Sequence, residues 1–155
     1  MQAYTTGQIA QILNAKLEGD PNLQISSVAT DSRTPSGSKG TLFIAIVGKH
    51  HNGHKFISEL YRFQNIRAFL VSDHFGLAEN FPQATFIVVK NTLHALQKLA
   101  TYHRAQFKYP VIGITGSNGK TIVKEWLNQL LSPDFSIVRS PKSFNSQIGV
   151  PLSVL

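Results

Sequence analysis

The residues best suited to chemistry lie near the carboxyl end, where positions 111–126 read VIGITGSNGKTIVKEW. A loop that grips phosphate needs converging backbone amides. Glycines allow this, because a side chain would block the anion or forbid the required φ. A helix must start at once, so that its free N–H groups and positive dipole end face the anion. A lysine must follow for the β- and γ-phosphates, and a hydroxyl for Mg²⁺. Gly116, Ser117, Asn118, Gly119, Lys120 and Thr121 provide these parts in order, and Ile122 adds a backbone N–H. The common GxxxxGK[ST] spacing would place glycine at 114, but that residue is Ile114, with glycines at 113 and 116. The bland alternative is a glycine-rich turn with an incidental lysine. An apolar β-rich run before the loop and a helical pattern after it favour a nucleotide site.

Three other clusters carry polar chemistry. Asp31, Ser32 and Arg33 open the turn-rich segment DSRTPSGSKG. Either Asp31 caps a turn there, or the trio meets a ligand. His50, His51 and His54 lie within HHNGH, where no nearby acidic residue or cysteine completes a metal site. Asn145, Ser146 and Gln147 precede GVPLSVL, where Asn145 would either cap a helix or face a ligand.

The elements that must hold these residues alternate. Thr5 or Thr6 caps a first helix whose stripe is Ile9, Ile12 and Leu13. Strands are expected around residues 23–29, in TLFIAIVG, AFLVS, TFIVV and VIGIT, and in SIVRS near the end. HKFISELYRF places Phe56, Ile57, Leu60 and Tyr61 on one helical face, and NTLHALQKLATYHRAQF is a helix capped by Asn91 or Thr92. His94 and His103 lie on that helix and read as structural. The class is α/β. The boundary falls near residues 88–92. It separates a complete small unit, 1–87, from the opening of a second, 88–155, which offers too few strands for a covered parallel sheet.

Composition bounds the rest. The chain has 155 residues, a net charge of +7 and no cysteine, which excludes a disulfide scaffold and a thiolate metal site. The positive excess suits nucleic acid, an anionic membrane or a phosphorylated small molecule; no Lys/Arg run forms a nucleic-acid arm. No basic region followed by an apolar stretch marks a signal peptide, and no apolar run reaches membrane-spanning length. A cytoplasmic protein is the expectation.

TGSNGKT resembles the TGxxGKT loop of the Mur ligases, which extend the peptidoglycan precursor, and that family uses this shorter glycine spacing. Residues 30–57, TDSRTPSGSKGTLFIAIVGKHHNGHKFI, resemble the segment DSR…G.LF.A..G…DGH.F of the family's UDP-sugar domain. NTLHALQKLATYHR and SFNSQIGVPLSVL resemble the helix before the ATP domain and the N.N..IGVP segment after the loop. VKE and NSQIGVPLS look most like the last enzyme of the series, and the wider string resembles a branch fused to an alanine racemase. The departures are Ile122, where many relatives carry Ser or Thr, and Asn52, where DGH has Asp.

The resemblance implies a small mixed-sheet amino-terminal domain followed by the start of a P-loop ATP-binding α/β domain. It implies an ATP- and Mg²⁺-dependent, ADP-forming ligase that adds D-alanyl-D-alanine to UDP-N-acetylmuramoyl-tripeptide through an acyl phosphate. Lys120 and Thr121 would be catalytic, Thr121 holding Mg²⁺ through ATP, and Gly116 to Ile122 would bind ATP. Asp31, Ser32, Arg33, Gly53, His54, Asn145 and Ser146 would face the UDP-sugar substrate. As an amino-terminal fragment of such a ligase, the chain is expected to bind without turning over. The competing expectations are another Mur-type ligase, such as the third-residue-adding enzyme, and a non-catalytic nucleotide-sugar-binding module.

Overall fold

A computed structural model describes residues 3–33, 40–48, 51–72, 77–141 and 144–155. Its centre is a five-stranded sheet in the order β2-β7-β6-β5-β4. These strands are Lys16–Glu18 (β2), Ser27–Ala29 (β4), Thr41–Ile44 (β5), Ala68–Val71 (β6) and Thr85–Val88 (β7). β4, β5, β6 and β7 run parallel, and β2 lies antiparallel on β7, so the sheet is mixed as expected. Tyr4–Thr5 (β1) and Gln24–Ile25 (β3) form a separate antiparallel pair.

Both faces of the central strands are buried, which explains their nearly continuous apolar sequences. On one face Leu42, Ile44, Leu70 and Ile87 pack with Ile9 and Leu13 of α1 (Thr6–Leu13) and with Leu96 and Leu99 of α4 (Thr92–Ala105). On the other, Phe43, Phe69 and Phe86 meet Ile57 and Leu60 of α2 (Ile57–Phe63). Phe69 stacks on Phe86 at 5.5 Å and meets Phe43 edge-on at 6.4 Å. Alternate residues of one strand thus serve two cores. α3 (Leu77–Asn80) is a short turn of helix before β7.

The expected caps form. Thr5 Oγ1 accepts from Gln8 N–H at 3.1 Å while the Gln8 side chain accepts from Thr5 N–H at 2.8 Å, a reciprocal capping box. Asn91 Oδ1 accepts from His94 N–H at 2.9 Å. His103 is buried on α4, with the Tyr4 hydroxyl 2.9 Å from its Nδ1.

Three expectations need correction. The stretch 23–29 is two strands, because Ser26 and Ser27 N–H both donate to the Gly40 carbonyl, at 2.9 and 3.2 Å, and interrupt the ladder. HKFISELYRF divides into a 3₁₀ turn, Gly53–Phe56, and α2. Neither VIGIT nor SIVRS is a strand. Val111 and Ile112 are each 63% exposed and Val138 is 89% exposed. An extended run becomes a strand only when a neighbour takes its N–H and C=O groups, and none among the described residues does so here. α5 (Lys120–Leu131) buries none of its residues, and Trp126 is well exposed. α6 (Gly149–Val154) lies against α4 and adds Leu152 to the first core.

Candidate functional site

Right-twisted parallel strands place loop residues at their carboxyl edge, the side of an α/β sheet that usually meets ligands. Here that edge carries Asp31 to Arg33 after β4, the loop to His54 after β5, Ser72 after β6 and Asn91 after β7.

Asp31 and Arg33 grip one another. Arg33 Nε donates to Asp31 Oδ1 at 3.0 Å, NH2 to Oδ2 at 2.7 Å, and the Arg33 backbone N–H to Oδ1 at 2.9 Å. These bonds from Arg33 pull the Asp31 carboxyl down to about 2, and the nearby His51 adds to the effect. The turn and the ligand-facing possibilities therefore coexist: Asp31 closes the turn, while the Arg33 side chain remains 88% exposed. The Ser32 carbonyl accepts from Gln64 Nε2 at 2.8 Å, which fastens this turn to the end of α2. His51 stacks on Phe56 at 5.4 Å.

His54 ties two loops together. Its Nε2 accepts from Ser72 N–H at 3.1 Å, so the ring proton belongs on Nδ1, which reaches Asn52 Oδ1 at 2.8 Å. Asn52 Oδ1 also accepts from His54 N–H at 3.0 Å. An amide oxygen thus performs the acceptor role that an aspartate would perform, without its charge. Gly53 is buried and donates to the Ile46 carbonyl at 2.9 Å; a Cβ there would lie 2.9 Å from the Ala45 backbone. Both residues hold the loop's shape. His50 lies outside the described residues, and no group of three or more His, Cys, Asp or Glu suited to a metal occurs among those described.

The glycine loop is a turn into α5. Gly119, at φ +78°, caps the helix without a side-chain bond, and Gly116 has φ +148°. The first turn of α5 closes where Val123 N–H donates to the Gly119 carbonyl at 2.9 Å. Lys120 Nζ folds back onto the Gly116 carbonyl and lies 3.5 Å from that of Ser117. Residues 117–122 line an open concavity of about 280 Å³, and Asn145 completes its wall.

Asn145 and Ser146 separate in role. Ser146 Oγ accepts from Gly149 N–H at 2.9 Å and Ile148 N–H at 3.3 Å, so Ser146 is the residue that fastens the start of α6. Asn145 is exposed and lies where the loop concavity meets a second groove of about 590 Å³ between α4 and α6. The structure thus joins Ser117–Ile122 to Asn145, and separately brings His51 near the Asp31–Arg33 pair. Sequence reasoning missed Ser72, the anchor of His54, and the charged residues Lys124, Glu125 and Arg139 beside the loop. Lys124, one turn after Lys120, was the visible clue.

No protein-family model matches the chain. The chain is 34% identical over 159 aligned residues to a UDP-N-acetylmuramoyl-tripeptide–D-alanyl-D-alanine ligase of Haemophilus influenzae, covering 100% of this chain and 33% of that protein. It superposes on a crystal structure of MurF from Acinetobacter baumannii with a TM-score of 0.87, at 27% identity, over 99% of this chain and 33% of the other. A MurF ligase from Thermotoga maritima in complex with ADP matches 83% of this chain and 28% of that one, with a TM-score of 0.69 and 31% identity. The chain thus spans about a third of the length of these relatives.

Proposed function

The chain belongs to the Mur ligase family, and from that premise we propose that it is the nucleotide- and substrate-gripping part of a ligase that adds D-alanyl-D-alanine to UDP-N-acetylmuramoyl-tripeptide. In that reaction the γ-phosphoryl of ATP passes to the peptide's terminal carboxylate and ADP leaves. The amine of the dipeptide then attacks the acyl phosphate, forming the amide and releasing phosphate.

The observation that carries this reading is the loop. Residues 117–122, where the loop enters α5, border one concavity of about 280 Å³ together with Asn145, and their residue types suit a chain of phosphates. The ADP complex of the Thermotoga maritima relative supports nucleotide binding here. In the bound state Lys120 exchanges the Gly116 and Ser117 carbonyls for phosphate oxygens. Thr121 would help to hold Mg²⁺ through its hydroxyl, and the ion would supply charge neutralisation at the phosphoryl group. Because such transfer depends on position and charge, the fixed donors at residues 116–122 orient the nucleotide and do not act as acid or base.

We assign residues 1–87 to UDP-sugar binding and 88–155 to the opening of the ATP domain. Arg33 offers its exposed guanidinium face to a diphosphate, with Ser32 beside it. Ser146 stands at the substrate side of the groove, and Gly53 and His54 act by shaping their loop. The cytoplasm is the compartment this reading assigns, and a fused alanine racemase would appear in the reading frame downstream. No described helix is long and apolar enough to cross a membrane.

Calorimetry with Mg·ADP and with UDP-muramoyl-tripeptide, together with phosphate release under ATP and Mg²⁺, tests the reading. Binding of both ligands without turnover by these 155 residues is expected. Turnover at enzyme-like rates would overturn the binding-only part. Salt-sensitive binding to any DNA or RNA, with neither ligand bound, would overturn the whole.

A further inference from the structure

The charged residues beside the phosphate loop form a network with a consequence for the site. Lys124 Nζ donates to the Ser140 carbonyl at 3.0 Å, and its side chain is only 15% exposed, deep for a lysine. Glu125 stands between two cations: its Oε1 is 3.3 Å from Lys124 Nζ, and its Oε2 pairs with Arg139 NH1. Arg139 and Ser140 lie a few residues before Asn145, which lines the same concavity as residues 117–122. These polar contacts tie the loop's own helix to Arg139 and Ser140, which precede Asn145 in the chain. α5 has no buried residue to set that relation by hydrophobic packing. Exposed ion pairs add little to stability, so the value of this network lies in placement.

We propose that Lys124, Glu125 and Arg139 form a positioning latch that holds Asn145 across the phosphate loop, so that Lys124 supports nucleotide binding through Asn145 and not by touching phosphate. The proposal rests on the nucleotide-site reading above. Geometry separates the two lysines of α5. Lys120 donates to the Gly116 carbonyl of the loop itself, whereas Lys124 donates to the Ser140 carbonyl.

The test is a double-mutant cycle on the full 155-residue chain with Mg·ADP as the probe, read by calorimetry. Lys124→Met and Asn145→Ala are each expected to weaken binding about five- to tenfold, a range typical of coupled polar contacts. The double variant is expected to bind no more weakly than Asn145→Ala alone. Lys124→Arg, which keeps a donor for the Ser140 carbonyl, is expected to restore most of the affinity. Thermal unfolding by circular dichroism should stay at the wild-type value, since neither core contains an α5 residue. Without any nucleotide, backbone hydrogen exchange at residues 144–148 should quicken in Lys124→Met. Unchanged exchange and affinity in Lys124→Met would overturn the latch. So would losses that multiply in the double variant, because Lys124 would then act on phosphate directly. If wild type fails to bind Mg·ADP, the nucleotide reading falls and the functional latch falls with it, whatever the exchange result.

Discussion

Gly119 holds φ +78° and ψ −8° at the start of α5, and a Cβ built there meets no atom within 4 Å. Replacing it with alanine therefore causes no collision, and the whole cost is conformational. An L-residue in the left-handed region loses about 1–2 kcal/mol. The fate of that cost depends on what surrounds the loop. α5 contributes no residue to either core, so the free chain can let residue 119 rotate out of the left-handed region without disturbing them. Phosphate binding requires the amides to converge again, and the strain returns at that moment. Since 1.4 kcal/mol corresponds to a factor of ten, Gly119→Ala should weaken Mg·ADP binding by about five- to thirtyfold. The unfolding midpoint should remain close to wild type. Gly119→Asn is the control, because asparagine tolerates this region better and should retain more affinity. Calorimetric titration gives the affinity, and far-ultraviolet circular dichroism in urea gives the stability. Wild-type affinity in the alanine variant would refute the claim that the left-handed turn is needed for binding. A fall in stability without loss of affinity would refute the claim that loop and cores are energetically separate.

Other predictions concern the sheet domain. Phe69→Ala removes a fully buried ring between Phe43 and Phe86 and should destabilise the protein by about 3–5 kcal/mol in urea unfolding. Asp31 should titrate at about 2 by carboxyl chemical shift, and Arg33→Met should return it toward the ordinary 3.8. The contribution of that pair is present above the unfolded-state value and is lost as pH falls through the folded one. Burial pushes the His103 imidazole below its ordinary 6.5, so the unfolded state binds the proton more readily. Stability should accordingly fall as pH drops below about 6.5, and His103→Gln should flatten that slope in urea titrations at successive pH values.

The sequence made some features readable because residue type and local context coincide. The Gly-Lys-Thr loop is one, since the glycines sit where a strand-like run meets a helical pattern. Thr5 and Asn91 are others, because capping is a contact across three residues. In LFIAIV the double-sided burial was implicit: Leu42 and Ile44 serve one core, Phe43 and Ala45 the other. Strand formation at residues 111–115 and 136–140 was misjudged because a strand is a relation, and apolar residues do not supply the partner. β1 and β2 are too short to show alternation. The bond from Ser72 to His54 crosses 18 positions, and the contact of Lys124 with Ser140 crosses 16, so neither leaves a local pattern. The HHNGH string likewise gives no sign that His54 fastens its loop to Ser72.

The single tryptophan of the chain sits on α5, with most of its surface in water and no place in either core. Its emission is consequently a local optical signal. It reports the helix that follows the phosphate loop and says little about the sheet, whose cores hold phenylalanines and Tyr4, with Tyr61 packed at the edge of one. A denaturation curve followed by tryptophan light should therefore not overlay one followed by backbone ellipticity. Non-coincident curves are ordinarily taken as the mark of a folding intermediate. In this chain they would report where the indole was placed.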